Sequence, residues 1–302
     1  MKRFLSKTGL YLLIQLTFIL VFVYYYTSNL DIPFYSNSIS FNAKAKFLIK
    51  NHIQLENYPV VVIGSSMSLN NLDCVYLSGK LKQPIINLSS WGMTFDDFDA
   101  FDIWEKNKII LTNVNFTDIG LSAIIKKRGY PYSENKLLNF TNILTDFSTY
   151  KAEVDTRLID SVPKINDFYR SLKFDRSGSV LFTERHDFQI YPTRWNQKQQ
   201  EVSAGDIERF ISGVKQKSLL VKHIIISFSP SRRSVYSSND SKTVKLIQNQ
   251  LKSTPNISFI DNYDAVNFND DDFVDFCHFS NSGAKKYNEL LYSQLLATRV
   301  FN

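Results

Sequence analysis

The feature of the sequence that most restricts its fold is a series of five short runs of apolar and β-branched residues. Each run is apolar at successive positions, which is typical of strands in a parallel sheet that is covered on both faces. The runs are 58–63 (YPVVVI), 84–88 (PIINL), 108–112 (KIILT), 223–228 (HIIISF) and 257–260 (ISFI).

Helical patterns lie between and after these runs. A stretch capped by Ser203 repeats apolar residues at helical spacing (Ile207, Phe210, Ile211, Val214), the segment 243–251 precedes the fifth run, and a last helix carries Ala284, Tyr287, Leu291 and Leu295. Strands that alternate with helices predict an α/β protein with a three-layer parallel sheet and right-handed crossovers. Residues 116–204 lack this rhythm, and we interpret them as an insertion over the carboxyl edge of the sheet, where such sheets bind ligands.

The N-terminus has a different character. Lys2, Arg3 and Lys7 precede an uncharged, mostly apolar run from Leu10 to Tyr26. A helix needs about 20 such residues to cross a membrane, and the tyrosines at the end of the run suit the far interface. Small residues of a cleavage site do not follow. We therefore favour a retained anchor over a cleaved signal or a buried helix.

The positive side of an anchor stays in the cytoplasm, so the rest of the chain is expected outside it, on the plasma (inner) membrane. The predicted organisation is an anchor at 1–27, a polar connector at 28–57 with a short helix near 43–52, and one domain at 58–302.

Composition narrows the classes of function. With 44% hydrophobic and 21% charged residues among 302, the chain is typical of a globular protein rather than a disordered one. The net charge of +6 comes without a long basic run, so no nucleic-acid partner is expected. Cys74 and Cys277 fit either one disulfide or two buried thiols.

The first run leads directly into the turn Gly64-Ser65-Ser66. A serine between a strand and a helix is exposed, and nearby backbone N–H groups can stabilise negative charge. Taken alone, however, the turn is more typical of an ordinary capping serine.

The far end of the chain supports Ser66 as a nucleophile. Of four histidines, only His278 has an aspartate three residues earlier, Asp275. A base must reach the serine, and a carboxylate must orient the other ring nitrogen and stabilise the charged ring. We therefore predict Ser66 as nucleophile, His278 as base and Asp275 as its partner. A metal site at His278 and Asp275 lacks further ligands in the sequence.

Candidate oxyanion donors follow the second and third runs. Gly92 offers an N–H group, and Asn113 or Asn115 offers a side-chain amide. Each such donor contributes about 3 kcal/mol to stabilising a transition state. The pattern does not separate the two asparagines, and Asn115 is favoured because it lies just beyond the strand.

This order of motifs resembles the SGNH (GDSL-type) hydrolase family: Gly-x-Ser after the first strand, Gly after the second, Asn after the third, and Asp-x-x-His before the last helix. The resemblance covers about 58–296 outside the insertion, and DFCHFSNSGAKKY is its most specific part. It implies a flavodoxin-like sheet, a Ser-His-Asp triad of Ser66, His278 and Asp275, and an oxyanion hole from the Ser66 N–H, Gly92 and Asn115. No cofactor is implied.

Two departures from the family pattern matter. Ser65 stands where the family has aspartate, and Asn-Val-Asn-Phe replaces Gly-x-Asn-Asp. The first is similar to membrane-anchored branches that act on envelope polymers, such as alginate O-acetylation proteins and the D-alanyl transfer protein of teichoic acid systems.

The predicted function is an extracytoplasmic serine esterase or O-acyltransferase with an acyl donor and a glycan as partners. The alternative is a non-catalytic accessory subunit of a polytopic membrane acyltransferase or a polysaccharide export complex. For Arg232 and Arg233, a solvated basic turn is favoured over an anion site.

Overall fold

The computed structural model describes residues 2–29, 39–101, 103–120, 174–181, 201–235 and 237–301. Five parallel strands form one sheet in the order β2-β1-β3-β4-β5. The strands are β1 Val60–Val62, β2 Ile85–Asn87, β3 Ile109–Val114, β4 His223–Phe228 and β5 Ile257–Asp261. This order is that of flavodoxin-like sheets. The sequence of strands changes direction between β1 and β3, and such sheets bind ligands at that switch point. The predicted α/β class and the five strands are confirmed.

The third strand is longer than the sequence predicted. The apolar run ends at Thr112, but β3 continues through Asn113 to Val114. The polar side chain of Asn113 is fully buried. It is tolerated inside the sheet because both ends of its amide are hydrogen-bonded, Nδ2 to Met67 O and Oδ1 to the Tyr287 hydroxyl.

Helices cover both faces of the sheet and give three layers. The α-helices of the described residues are α1 Lys2–Asn29, α2 Ile39–Lys50, α3 Ser66–Asn71, α4 Cys74–Leu81, α5 Phe116–Gly120, α6 Ala204–Ser218, α7 Ser238–Lys252 and α8 Asn281–Ala297. One core contains apolar side chains of α2, α6 and α7, and the other contains those of α4 and α8. Successive residues of β1 alternate between these cores, as the pleat requires. The helix predicted near 43–52 is α2, which begins and ends earlier.

Ser203 caps α6 as predicted. Its hydroxyl accepts the N–H of Asp206 at 3.1 Å, and the Asp206 carboxylate accepts the Ser203 N–H in return. Such a capping box satisfies donors that a helix start leaves open. In the part of the insertion that is described, the segment 174–181 runs beside β2, where the Asn87 N–H donates to Ser177 O at 2.7 Å. Residues 121–173 and 182–200 of the insertion lie outside the described residues.

The N-terminal helix α1 presents exposed apolar side chains from Leu10 to Val21, on all sides of the helix. Among the residues that the structure describes, no helix has the length and apolar character needed to cross a membrane.

The cysteines are two separate thiols. Cys74 and Cys277 are both free and buried. Burial raises the pKa of the Cys74 thiol to about 12, so it stays protonated at neutral pH. Of the two alternatives left open by the sequence, the pair of buried thiols is the one observed.

Candidate active site

The fold brings Ser66 and His278 into hydrogen-bonding contact although 212 positions separate them in the chain. Ser66 is the first residue of α3, at the carboxyl end of β1, and His278 lies in the loop before α8. Ser66 Oγ lies 2.8 Å from His278 Nε2, and His278 Nδ1 lies 2.7 Å from Asp275 Oδ2. The three residues therefore form a continuous chain of hydrogen bonds.

The turn before Ser66 depends on Gly64. This residue has φ +135°, and a Cβ placed there would approach Ser68 Oγ to 2.6 Å. Only glycine meets both demands. Ser65 then acts as the N-cap of α3, because its hydroxyl accepts the N–H of Met67 at 3.2 Å. The capping role that the sequence left open for this turn thus belongs to Ser65, which leaves the Ser66 hydroxyl to His278.

The Asp-x-x-His turn closes on itself. Asp275 Oδ1 accepts the N–H groups of Cys277 and His278 at 2.8 and 2.7 Å, while Oδ2 bonds to the imidazole. Both Asp275 and His278 are buried. Burial by itself would raise the pKa of Asp275, but the charge and hydrogen bond of His278 and the two backbone N–H groups outweigh it and lower the pKa. The carboxylate is therefore ionised at neutral pH and holds the ring in one orientation.

Asn71 braces this turn from α3, a role that the sequence analysis missed. Its Nδ2 donates to Cys277 O at 3.3 Å, and its Oδ1 accepts the Phe279 N–H at 3.0 Å. The side chain is fully buried. An asparagine in a short helix gives no pattern that points to a loop 206 residues away, so the sequence carried no usable signal.

Trp91 is a second residue that the sequence analysis did not single out. Its ring stacks on the imidazole of His278, with centroids 6.1 Å apart and planes 16° from parallel. It precedes Gly92 in the turn after β2. The imidazole thus has an aromatic neighbour in addition to Ser66 and Asp275, which bond to its two nitrogens.

Gly92 lies beside this tryptophan and has φ +72°, a conformation that favours glycine. Within the described residues, neither the Gly92 N–H nor the Ser66 N–H donates to a protein group. Both therefore remain available to a substrate oxygen.

The two candidate asparagines have different surroundings. Asn113 uses both ends of its amide inside the protein, as described for β3. The Asn115 Oδ1 accepts the N–H of Asp118 at 3.1 Å, and no described residue accepts a hydrogen bond from its Nδ2. Asn115 is therefore the one of the two whose amide can donate to a ligand.

Asp118 completes a capping box with Asn115 and was also missed. Its Oδ2 accepts the Asn115 N–H at 2.8 Å, which fixes the backbone where β3 ends. Burial raises the pKa of Asp118 to about 6, although the Ser65 hydroxyl, the Asn115 N–H and the charge of His278 oppose this shift. The pKa of Asp118 is thus raised, whereas that of Asp275 is lowered.

The side chains around His278 also raise the question of a metal site. Potential ligand atoms of Asp275, Cys277 and His278 lie within 4.8 Å of one another. However, Asp275 Oδ1 is occupied by two backbone N–H groups, and Oδ2 bonds to His278 Nδ1. A metal would have to break these bonds, so the donor set does not fit one.

The basic pair after β4 is Arg232 and Arg233, for which a solvated turn was predicted. The structure agrees with this prediction for Arg233 and not for Arg232. Arg233 is exposed and donates to Val266 O at 3.1 Å, as expected of a solvated turn. Arg232 is only 1% exposed, so a solvated turn is wrong for this residue. The loop folds Arg232 inward while Val235 packs against Met67, Phe276 and Cys277 beside the site.

Comparison with known proteins adds no relative. No family model matches the chain, and no curated protein matches it. What the chain does must therefore be inferred from the geometry around Ser66.

Proposed function

We propose that this protein is a membrane-anchored serine esterase or O-acyltransferase that acts on a cell-envelope or exported polysaccharide outside the cytoplasm. The observation that carries the proposal is the hydrogen-bond chain from Ser66 Oγ through His278 to Asp275, with links of 2.8 and 2.7 Å. A hydroxyl bonded to a base that is itself oriented by a buried carboxylate is the arrangement that activates serine. The motif order shared with SGNH hydrolases supports the same chemistry.

The first half of the reaction would form an acyl-enzyme. Ser66 Oγ attacks the carbonyl carbon of an ester, and its proton moves to His278 Nε2. The carbonyl oxygen becomes an oxyanion, for which the N–H groups of Ser66 and Gly92 and the Asn115 amide are the available donors. When the ester C–O bond breaks, His278 returns the proton to the leaving alcohol.

The second half would reverse these steps with a new nucleophile. His278 takes a proton from water or from a sugar hydroxyl, whose oxygen attacks the acyl carbon. The bond to Ser66 Oγ then breaks, and the serine recovers its proton. Water gives hydrolysis, and a sugar gives transfer. Asp275 stays ionised throughout and stabilises the imidazolium, in keeping with its lowered pKa.

The location rests on the N-terminus. Basic residues precede the uncharged run from Leu10 to Tyr26, and the apolar side chains from Leu10 to Val21 are exposed on α1. An apolar surface on all sides of a helix needs an apolar environment. An anchored domain outside the cytoplasm meets envelope polymers rather than soluble metabolites, which favours a glycan substrate.

Activity-based labelling of the full-length protein tests the chemistry. A fluorophosphonate probe should label the wild type, while Ser66→Ala and His278→Ala should each lose labelling. Matched controls are Ser78→Ala and His223→Ala, because both residues lie away from the site, bonded to Gln83 O and to Ser258. Absence of labelling in folded wild type would overturn the enzyme proposal and leave the accessory subunit.

Membrane fractionation tests the location. The wild type should stay with membranes after an alkaline wash, and its domain should be cleaved by protease added from outside. Replacing Leu13 and Ile19 with lysine should release the protein, because a charge inside a bilayer costs several kcal/mol. Recovery of the wild type in the soluble fraction would contradict the anchor without touching the triad.

A further inference from the structure

Helix α2 is bonded to the turn after β2, which carries Trp91 and Gly92. Ser40 Oγ lies 2.7 Å from Ser90 Oγ, and it also donates to Trp91 O at 3.4 Å. Ser40 and Ser90 are both buried. A helix that comes before the first strand in the chain thus bonds directly to the two residues that precede Gly92.

Lys44 lies one helical turn after Ser40 and bonds to the end of the same strand. Its Nζ donates to the O of Asn87, the last residue of β2, at 2.8 Å, and to Gly178 O in the insertion. The centroid of the Phe174 ring lies 4.4 Å from Nζ. Lys44 is fully buried, and burial lowers its pKa to about 7. Because a buried amino group needs hydrogen-bond acceptors, these contacts hold α2, β2 and the insertion in one arrangement.

Asn87 connects this strand end to α3 and to the turn. Its Nδ2 donates to Ser68 O at 2.9 Å, and its Oδ1 accepts the Ser89 N–H at 2.9 Å. Ser68 belongs to α3, the helix that begins with Ser66. A displacement of the strand end that Lys44 holds would therefore reach both the helix of the nucleophile and the turn.

We propose that Ser40 and Lys44 are positioning residues for the proposed reaction. Together they hold the turn after β2, which keeps the Trp91 ring against the imidazole and the Gly92 N–H within reach of an oxyanion. Both act through the backbone of the turn and not on the reacting atoms. The inference rests on the proposed function and deepens it, because it makes α2, which ends before the predicted domain at 58–302, a working support of the site.

Lys108 offers a matched control. It is 1% exposed, and its Nζ donates to Leu55 O at 2.7 Å and to Tyr58 O at 3.1 Å. Like Lys44, it is a buried amino group held by two backbone carbonyls. However, it precedes β3, at the opposite edge of the parallel sheet from Ser66. Lys108→Met should therefore disturb the packing to a degree similar to Lys44→Met and leave the site in place.

The measurement is kcat and KM of the full-length protein for p-nitrophenyl acetate, well below the unfolding temperature of each variant. Lys44→Met should lower kcat by about 10²-fold with little change in KM, an effect that a displacement of about 1 Å can produce. Ser40→Ala should lower kcat less, and Ser40→Thr, which retains a hydroxyl, should recover most of the rate. Lys108→Met should lower the unfolding temperature and leave kcat close to that of the wild type.

A double-mutant cycle tests whether Ser40 acts through the turn. Because the hydroxyls of Ser40 and Ser90 bond to each other, the variant that carries both Ser40→Ala and Ser90→Ala should have a kcat no lower than the more impaired single variant. Independent effects that multiply in the double variant would contradict a shared role in holding the turn.

Phosphonate labelling separates the possible failures. If Ser66 is labelled in the wild type but Lys44→Met and Ser40→Ala keep kcat as well as Lys108→Met does, the positioning role is wrong and the serine chemistry stands. Ser40→Ala carries this test if Lys44→Met does not fold. If the folded wild type neither reacts with the probe nor cleaves the ester, both proposals are overturned.

Discussion

The two sides of Ser66 are organised in different ways. On the base side, one four-residue turn supplies both Asp275 and His278, and each hydrogen-bonding atom of the Asp275 carboxylate has a partner in that turn. On the oxyanion side, Gly92 and Asn115 come from the ends of different strands, and they leave an N–H and an amide without acceptors among the described residues. The base side is complete without a ligand, whereas the proposed oxyanion side would be completed by one.

This difference has an energetic consequence. A preformed base costs nothing to organise when the substrate arrives, and available donors near a buried turn gain strength when a developing charge reaches them. Substitutions on the base side should therefore disturb an existing network. Those on the oxyanion side should act mainly on the transition state.

The largest effect is expected from Asp275→Asn. The amide cannot hold the imidazole in the tautomer that accepts the serine proton, and in a comparable triad this change lowers kcat about 10⁴-fold. The measurement is ester turnover or the rate of phosphonate labelling. A loss of less than tenfold in a folded variant would show that the base side does not act as a unit.

The two asparagines should separate on the oxyanion side. Asn115→Ala should lower kcat by about 10²–10³-fold with little change in KM, because its amide acts on the transition state. Asn113→Ala should lower the unfolding temperature instead, since it removes bonds to Met67 and Tyr287. The reverse pattern would assign the oxyanion role to Asn113.

The carboxyl groups of Asp118 and Asp275 should make the free energy of unfolding depend on pH in opposite directions. The pKa of Asp118 is raised to about 6, so its contribution is full below pH 3.8 and is lost as pH rises through 6, by less than about 3 kcal/mol. The lowered pKa of Asp275 gives a contribution that is present above pH 3.8 and is lost as pH falls further. Unfolding free energy measured from pH 4 to 7 should fall less steeply in Asp118→Asn than in wild type.

Asp206→Asn is the control for that experiment, because Asp206 forms a similar capping box on α6 but its pKa is lowered by the Ser203 hydroxyl. If the pH dependence of the unfolding free energy changed equally in Asp118→Asn and Asp206→Asn, the raised pKa of Asp118 would not be its cause.

The smallest effect concerns the support beneath the site. Tyr287→Phe removes a hydroxyl that is bonded to Ser227 at 2.6 Å and to Asn113 at 2.7 Å. Leaving these buried groups without their partner should cost about 1–3 kcal/mol of unfolding free energy, with labelling of Ser66 unchanged. Chemical denaturation measures it, and Tyr292→Phe, half-buried at the surface of α8, serves as the control.

The parts of the molecule that follow from local pattern could be predicted from the sequence. The β-branched runs gave the strands because both faces of a parallel sheet are apolar, and the spacing of Asp275 and His278 placed both in one turn. Asn71 and Trp91 could not be predicted, since each acts through a contact with a loop that is far away in the chain. Asp118 was missed for another reason, because it bonds to the nearby Asn115. Asn113 could not be assigned to β3 for a similar reason. It is a polar residue that is buried in the strand because Met67 and Tyr287 bond to its amide.

The insertion gave the weakest signal. The spacing of its apolar residues shows little periodicity over 116–204. Within this range the structure describes residues 116–120, 174–181 and 201–204. Asp118 and α5 lie at its very start and were not predicted, whereas the proposed oxyanion donors Gly92 and Asn115 were named from the sequence.

The most direct test of the central claim is to trap the acyl-enzyme. The full-length protein is mixed with a short-chain acyl ester, quenched in acid and digested, and the peptide that carries Ser66 is examined by mass spectrometry. We expect the mass of the acyl group on Ser66 in the wild type and its absence in His278→Ala. An adduct on another residue, or none in protein that cleaves the ester, would contradict the role of Ser66.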